Sequence, residues 1–268
     1  MPRSISRTVS WRCEGIVHAK NEVFLDVIEK LNLLVGANGN VIKSEIHGTL
    51  FMKCFLSGMP ELKLGLNDKT LFKISGRKSR NKLVDLDDIK FHQCVRLAKF
   101  ENERLVTFIP PDGDCNLVTY RLDLQVKPLF MVELVVEKKS STRLEYYVKA
   151  KSNFKAKSIA NNVEILVPVP SDTMTPTFKT VYGKVHYKAS KDALCWEIKQ
   201  FQGQREMMMK ASIKLPTIKS EDRDNYKRLP INVNFEIPYF TVSGIQVRYL
   251  KIMDKTNYKA SPWVRYIT

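Results

Sequence analysis

Apolar residues along the chain alternate with polar ones in the two-residue period of β-strands, not in the 3.6-residue period of helices. In residues 22–28 no helical stripe fits, and apolar side chains occupy both faces of the predicted strand. A strand that is apolar on both faces is normally covered on both sides. Further strands are predicted at 46–56 and at 163–167, which ends at Pro168. We therefore expect β-structure almost throughout.

Turn signals divide these strands into predicted hairpins. The Asn-Gly pair at 38–39 lies between apolar residues 33–35 and 41–42, and this arrangement is a strong hairpin signal. Two more hairpins are predicted within residues 91–109 and 131–148. Turn residues recur about every 8 to 12 positions to the C-terminus, which favours a β-sandwich over alternating strands and helices. The predicted fold class is all-β.

The charge balance indicates an anionic partner. The chain has 44 basic and 28 acidic residues, which gives a net charge of +16 and a pI near 9.6. Nucleic acid, an anionic membrane and an acidic protein are the three kinds of partner that such a surplus allows. Lysine dominates and is spread over the whole chain, whereas nucleic-acid readers often carry arginine blocks or stacking motifs. This distribution favours a membrane surface or an acidic ligand over base readout.

The cysteines and histidines form neither a disulfide framework nor a metal motif. No C-x-x-C pair occurs, the cysteines are odd in number, and both residue types are scattered. We expect reduced cysteines in the cytosol and no bound metal. The N-terminal residues 1–7 lack the apolar stretch of a secretory signal, and no apolar run approaches the roughly 18 residues of a membrane-spanning helix. The residues concerned are Cys13, Cys54, Cys94, Cys115, Cys195, His18, His47, His92 and His186.

Enzyme signatures are absent from the sequence. No nucleophile elbow, phosphate-binding loop, dinucleotide fingerprint or zinc-protease helix motif occurs, and the glycines at 36 and 39 belong to the predicted turn. Acidic neighbours such as Asp87-Asp88 point to opposite faces of a strand, so they do not form a two-carboxylate site. We expect a non-catalytic domain that needs no cofactor.

Several segments, taken in order from residue 9 to Thr268, resemble the C-terminal mu homology domain of clathrin-adaptor medium (mu) chains. Three further segments are more similar to the branch of adaptor protein complex 1, the trans-Golgi and endosomal complex. The family segments are 21–29, 56–62, 90–97, 108–113, 247–251 and 263–267, and the branch segments are 126–129, 160–165 and 243–247.

The resemblance implies two intertwined β-sandwich subdomains in an elongated domain, the second inserted into the first. Carried onto this sequence, subdomain A would comprise residues 1–126 and 241–268, and subdomain B residues 127–240. The family's N-terminal longin-type domain has no counterpart here, and its last strand would follow Thr268. A fragment or truncation would explain both.

The resemblance also implies a function. The family binds Tyr-x-x-Φ sorting signals (Φ is a bulky apolar residue) in the cytosolic tails of membrane cargo. The expected partners are these tails, the other subunits of a heterotetrameric adaptor, anionic lipids and acidic-cluster cargo, but not nucleic acid. The expected location is the cytoplasmic face of the trans-Golgi network, endosomes and clathrin-coated vesicles.

The positions that match the family's tyrosine pocket are Phe24, Asp26, Lys53, Trp263 and Arg265. The resemblance implies that Phe24 and Trp263 enclose the ring and that Asp26 accepts the hydroxyl proton. Lys53 and Arg265 would hold the Asp26 carboxylate. The alternatives are that Asp26 is a solvent-facing edge residue and that Trp263 is an ordinary core residue, because burial is the default for aromatic side chains.

Two further sets match family positions. Leu25, Val247, Leu250 and Val264 would line the Φ pocket, although aliphatic residues on strands are usually core. Lysines of one strand region would form a basic patch for acidic clusters or lipid, unless they are a solvated strand face. A rival function is therefore a basic β-sandwich whose main ligand is phosphoinositide or another polyanion. The patch residues are Lys149, Lys151, Lys155 and Lys157.

Overall fold

The computed structural model describes residues 9–67, 88–99, 105–217, 221–253 and 261–268. Two short 3-10 helices lie at Ala189–Lys191 and Glu221–Arg228, and none of the described helices is long and apolar enough to cross a membrane. The strands are β1 Glu22–Val35, β2 Val41–Phe55, β3 Glu61–Leu66, β4 Asp88–Phe91, β5 Val106–Phe108, β6 Gly113–Leu122, β7 Phe130–Ser140, β8 Arg143–Ser152, β9 Ile159–Pro168, β10 Thr177–Thr180, β11 Lys184–Lys188, β12 Ala193–Gln202, β13 Glu206–Lys214, β14 Asn232–Glu236, β15 Val247–Met253 and β16 Ser261–Ile267.

The all-β class predicted from the sequence is confirmed. The chain divides into two compact units, and unit 2 comprises Lys127–Pro238 together with the short segment Val35–Val41. Unit 1 takes the chain up to Leu34, then Ile42–Val126 and Tyr239–Thr268. The sequence of unit 1 is therefore interrupted by that of unit 2, and its last segment returns from a distant part of the chain.

Unit 1 consists of two sheets around one apolar core. The five-stranded sheet has the order β16-β1-β2-β6-β4, and the three-stranded sheet has the order β15-β3-β5. Buried side chains from both sheets meet in the core, among them Leu25, Leu50, Leu64 and Phe108. Each fully buried aliphatic side chain contributes about 1.5–3 kcal/mol, so this core supplies most of the driving force that holds the sheets together.

The strand β1 follows the predicted alternation, but only one of its faces is fully covered. Val23, Leu25 and Val27 are completely buried, whereas Phe24 and Ile28 on the other face remain partly exposed. The expectation that both faces would be covered is therefore wrong. The reason is that the three-stranded sheet covers one side of the larger sheet, so apolar residues on the other side are left available for contacts.

The predicted turn at 38–39 is present. β1 ends at Val35, β2 begins at Val41, and the two strands are neighbours in one sheet. Gly39 adopts a φ of 81°, a conformation that side chains with a Cβ rarely adopt, which explains the glycine at the tip. The backbone amide of Gly36 donates to the carbonyl of Asn40 at 2.8 Å and closes the turn.

The hairpin predicted for residues 91–109 does not form. β4 pairs with β6 in the five-stranded sheet, whereas β5 pairs with β3 in the other sheet. In the described part of this segment, a single isolated bridge joins Val95 to Phe108. Residues 101–104 of the predicted turn lie outside the described residues. Two neighbouring apolar runs therefore belong to different layers of the sandwich, a choice that local pattern does not determine.

Unit 2 is a second sandwich of two four-stranded sheets. Their orders are β10-β13-β8-β7 and β11-β12-β9-β14. The pairing of β7 with β8 confirms the hairpin predicted for residues 131–148. Phe130 of the first sheet contacts the rings of Phe201 and Phe235 in the second sheet, with centroids 5.2 and 4.9 Å apart. Aromatic contacts of this kind join the two sheets.

A buried carboxylate fixes the returning segment of unit 1. The side chain of Glu29 on β1 accepts hydrogen bonds from the backbone amides of Val242 and Ser243 at 2.7 and 3.1 Å, and from the Ser243 hydroxyl. The hydroxyl of Tyr120 on β6 donates to the same carboxylate at 2.7 Å. Several donors thus stabilise a negative charge that burial alone would make costly.

A glycine allows Tyr120 to reach Glu29 across the intervening strand. Gly48 on β2 pairs directly with Tyr120, and a Cβ at this glycine would lie only 1.9 Å from the tyrosine ring. The ring therefore lies over β2 and its hydroxyl reaches β1. Burial, together with the charge of Glu29, raises the pKa of Tyr120 and keeps this hydroxyl protonated as a donor.

We predict that Glu29→Gln destabilises unit 1 by about 2–4 kcal/mol, because charge-assisted hydrogen bonds are lost and buried donors are left poorly paired. Urea denaturation measures the free energy of unfolding, and hydrogen exchange at the amides of Val242 and Ser243 should accelerate. Tyr120→Phe removes one donor and should cost about 1 kcal/mol.

The matched control is Glu22→Gln on the same strand, where the side chain is partly exposed. This change should alter stability by less than about 0.5 kcal/mol. If Glu29→Gln behaves like this control and leaves both amides protected, the carboxylate does not anchor the returning segment.

Candidate functional site

The candidate site lies where the last strand pairs with the first. β16 runs parallel to β1, whereas β2 with β6 and β15 with β3 in the same unit are antiparallel. Residues that are directly opposite in a sheet project from the same face, and residues two apart share that face. Two of the pairs therefore lie side by side on the partly exposed face, and the third lies between them on the core side. In order, the pairs are Phe24 with Trp263, Leu25 with Val264, and Asp26 with Arg265.

Asp26 and Arg265 form a bidentate ion pair. The guanidinium Nε and Nη2 of Arg265 donate to the two carboxylate oxygens of Asp26 at 3.0 and 2.6 Å. The Asp26 side chain is only 12% exposed, whereas that of Arg265 is 57% exposed. This geometry fixes the orientation of the carboxylate. Each oxygen has a second lone pair with which it can accept another hydrogen bond.

Trp263 is 57% exposed on the edge strand, which argues against the interpretation of this residue as ordinary core. Its register partner Phe24 is partly buried on the neighbouring strand. A large aromatic side chain that remains exposed beside a partly exposed phenylalanine offers an apolar surface to a ligand. The Asp26 carboxylate lies two residues further along the same face.

Lys53 does not lie against the Asp26 carboxylate. Its ammonium forms an ion pair with Asp114 at 3.5 Å, because Asp114 on β6 is directly opposite Lys53 on β2. The expectation that Lys53 holds Asp26 is therefore wrong for this structure, and Arg265 alone of the two predicted cations reaches that carboxylate. Both partners of the Lys53 pair are about half exposed, so the pair contributes little to stability.

Three of the four predicted Φ-pocket residues present surface near the two sheet edges. Val247 and Leu250 on β15 are partly buried against the core, and Val264 on β16 is 38% exposed. Leu25 is completely buried in the core, so its side chain presents no surface to a ligand. For Leu25 the structure thus favours the alternative of an ordinary core residue.

The strands β15 and β16 each end a sheet within the described part of the chain. Tyr266, which sequence reasoning did not single out, connects them: its hydroxyl accepts a hydrogen bond from the amide of Val247 at 3.1 Å. The carbonyl of Tyr266 also accepts from the amide of Tyr239 at 2.7 Å. Strand alternation was the available signal, because Val264 and Tyr266 must face away from Trp263 and Arg265.

The four predicted patch lysines do not share one strand face. Lys149 and Lys151 lie on β8, and Glu206 on β13 pairs with both, at 3.2 and 3.5 Å. Hydrogen bonding from Lys149 holds the pKa of Glu206 below its usual value. Lys155 and Lys157 are exposed in the connection between β8 and β9, and no ion pair to either is found among the described residues.

Several known proteins with similar sequences are medium subunits of the AP-1 adaptor complex. The chain is 58% identical over 268 residues to AP-1 complex subunit mu-2 of Mus musculus and 55% identical over 267 residues to AP-1 complex subunit mu-1-I of Caenorhabditis elegans. Each comparison covers all of this chain but only 63% of the relative's length.

A solved structure with the same fold is the yeast delta-COP-I mu-homology domain in complex with a Dsl1 WxWxV peptide. The TM-score is 0.64 at 14% sequence identity, and the match covers 94% of this chain and 96% of that domain. At this identity the likeness concerns the fold alone. It agrees with the predicted mu homology architecture.

A family model identifies the chain over almost its whole length. The model of the adaptor complexes medium subunit family matches residues 9–268. Together with the identity to AP-1 mu subunits, this match confirms the resemblance seen in the sequence segments. The chain therefore belongs to the adaptor complexes medium subunit family.

Proposed function

We propose that the chain is the cargo-recognition module of a clathrin adaptor of the AP-1 type, which binds Tyr-x-x-Φ signals in the cytosolic tails of membrane proteins. The family match and the identity to AP-1 mu subunits support the adaptor assignment. The module acts in vesicle transport between the trans-Golgi network and endosomes, on the cytoplasmic face of these membranes and of clathrin-coated vesicles.

The observation that carries this proposal is the register of β16 with β1. It aligns an aromatic pair and an ion pair along the last strand of a sheet. An extended peptide can add to such an edge through backbone hydrogen bonds, and its side chains then fall alternately on the two faces. The edge can therefore bind the peptide backbone through hydrogen bonds and offers two separate sites for its side chains.

The spacing of the signal fits the two faces of β16. Residues three apart in an extended chain point to opposite sides and lie about 10 Å apart along it. Trp263 and Arg265 face one side of β16, and Val264 faces the other. The tyrosine at the first position of the signal would therefore meet Trp263 and Asp26, and the Φ residue would meet Val264, Val247 and Leu250.

The tyrosine site combines an apolar wall with a hydrogen-bond acceptor. The ring would lie between Phe24 and Trp263, and its hydroxyl would donate to the Asp26 carboxylate that Arg265 orients. A buried hydroxyl needs such a partner, because leaving it unpaired is costly. A phosphate on the tyrosine would place negative charge and extra volume at Asp26, so phosphorylated signals should be rejected.

The partners follow from the same proposal. The other subunits of a heterotetrameric adaptor would be partners of the complete protein, because the relatives are subunits of the AP-1 complex. The net charge of +16 favours contact with anionic lipid headgroups as well. Lys155 and Lys157, with Lys149 and Lys151, would receive acidic-cluster cargo.

The charge also favours a second candidate function, in which phosphoinositide or another polyanion is the main ligand. The two candidates differ in their dependence on salt. Polyanion binding weakens steeply with salt, whereas a pocket for tyrosine and an aliphatic side chain depends mainly on apolar burial. Calorimetric titration of a Tyr-x-x-Φ peptide at low and physiological salt therefore tests the proposal.

We predict a micromolar dissociation constant that changes less than about threefold between these salt concentrations. Two buried side chains offer about 3–6 kcal/mol together with a few backbone hydrogen bonds, and ordering the peptide subtracts from this. A peptide with Tyr replaced by Ala is the control. If the tyrosine peptide does not bind, or binds only at low salt, the polyanion alternative is favoured.

We predict that Asp26→Ala weakens binding of the tyrosine peptide by about 5- to 150-fold, because the buried hydroxyl loses its acceptor at a cost of about 1–3 kcal/mol. Circular dichroism should confirm that the variant is folded. The matched control is Asp88→Ala on β4, at the far edge of the same sheet, where the side chain is exposed. Equal affinities of a folded Asp26→Ala variant and this control would remove Asp26 from the site.

We predict that Glu206→Gln strengthens binding of an acidic-cluster peptide or of anionic vesicles, because Lys149 and Lys151 lose their internal partner. Lys155→Ala with Lys157→Ala should weaken it roughly 5- to 30-fold, since each lysine near an anionic surface contributes about 1 kcal/mol. Vesicle sedimentation with and without phosphatidylserine measures both effects. Binding of the tyrosine peptide should be unchanged in each variant, and loss of that binding would contradict the division into two sites.

A further inference from the structure

Three side chains with metal-ligand chemistry meet on one face of unit 2. His186 on β11 is directly opposite Cys195 on β12, and Glu197 follows two residues later on the same face of β12. Their donor atoms all lie within 4.8 Å of one another. The carboxylate Oε1 of Glu197 lies 3.8 Å from both the Nε2 of His186 and the Sγ of Cys195.

The cluster is buried and apolar on the side of Cys195 and open to solvent on the side of His186 and Glu197. Cys195 is completely buried and contacts Leu166 and Ala193, two other buried residues of the same sheet. The side chains of His186 and Glu197 are 43% and 52% exposed, so solvent reaches the cluster through these two residues. Two paired strands hold all three residues, which gives the cluster a fixed spacing.

A further carboxylate orients the thiol. The Sγ of Cys195 lies 3.2 Å from the Oε1 of Glu164 on β9. Glu164 in turn pairs with the ammonium of Lys188 and accepts a hydrogen bond from the Nδ2 of Asn234 at 3.2 Å. These contacts fix the position of the Glu164 carboxylate beside the thiol.

We propose that His186, Cys195 and Glu197 bind a zinc ion. An imidazole nitrogen, a thiolate sulfur and a carboxylate oxygen are the three ligand types that zinc takes, and the sulfur and nitrogen donors disfavour calcium and magnesium. In a tetrahedral zinc site the donor atoms are about 3.5 Å apart, so small side-chain rotations close the observed spacing.

The coordination has room for a fourth ligand on the exposed side. Three protein ligands with an open position are typical of sites that exchange the ion or bind a further group, whereas structural sites have four. The thiol proton leaves to solvent as the sulfur takes the metal. The thiolate no longer donates to Glu164, and the positive charge of the ion offsets the repulsion between these two anionic groups. The ion joins β11 to β12 and stabilises this edge of unit 2.

Cobalt(II) is the probe that tests this site, because thiolate-bound cobalt absorbs in the near ultraviolet and zinc displaces it without absorbing. We expect one equivalent of cobalt to produce this absorption and zinc to abolish it. Cys195→Ser should abolish the absorption, while Cys13→Ser, which changes an exposed cysteine, should keep it. Absence of the absorption in the parent chain, or its persistence in Cys195→Ser, would overturn the proposal.

His186→Ala tests the same site without changing a buried residue. It should weaken zinc binding by at least about tenfold, because even partners that only orient a ligand are worth about 10- to 100-fold in metal affinity. The matched control is His47→Ala in unit 1, whose imidazole is also about half exposed. Equal zinc affinities of the two variants would place the ion elsewhere.

A gain of affinity provides a test that misfolding cannot imitate. The ammonium of Lys188 is the cation held at the cluster through Glu164, and it opposes a bound metal ion. Lys188→Met should therefore tighten zinc binding, because the positive charge that opposes the ion is removed. A weaker or unchanged zinc affinity in the folded variant would contradict the location of the site.

Discussion

The parallel pairing of β16 with β1 is the constraint on which the rest of unit 1 depends. The two strands are separated by most of the chain, so their pairing must offset the entropy of closing a very long loop. Glu29 helps to do this, because its buried carboxylate binds the amides of Val242 and Ser243 just before β15. The same strand β1 therefore anchors the returning segment at Glu29 and forms the candidate site at Phe24 and Asp26.

An exposed sheet edge is a liability for a folded protein, since it can pair with other chains. Here the edge strand β16 carries Trp263 and Arg265 on one face and Val264 on the other. An exposed tryptophan adds to the tendency to associate, so it has a cost unless the edge binds a particular partner. Because the Asp26–Arg265 pair supplies a polar anchor beside the tryptophan, the edge can favour one kind of side chain over non-specific pairing.

Local pattern predicted the strands well, but it predicted their partners only where the paired strands are neighbours in sequence. Alternation and the Asn-Gly turn gave β1 and β2, and the hairpin of β7 and β8, since these pairings are between neighbours in sequence. The hairpin predicted for residues 91–109 was wrong because its two strands belong to different sheets. Lys53 was misplaced for a similar reason: its partner Asp114 is set by the register of β2 with β6. The meeting of His186 with Cys195 likewise depends on register, and no short motif announces it.

Several carboxylates each form ion pairs with more than one of the excess basic side chains. Glu45 pairs with Lys43 and Arg121, Glu145 with Arg143 and Lys210, and Glu206 with Lys149 and Lys151. Hydrogen bonds from lysine lower the pKa of Glu145 and Glu206, so their stabilising contribution is present at neutral pH and is lost only as pH falls through those lowered values. The basic side chains around these carboxylates therefore already form ion pairs within the fold. Under the proposed function, the net charge would attract an anionic surface from a distance. Direct contact would fall chiefly to lysines that pair with none of these carboxylates, such as Lys155 and Lys157 in the patch.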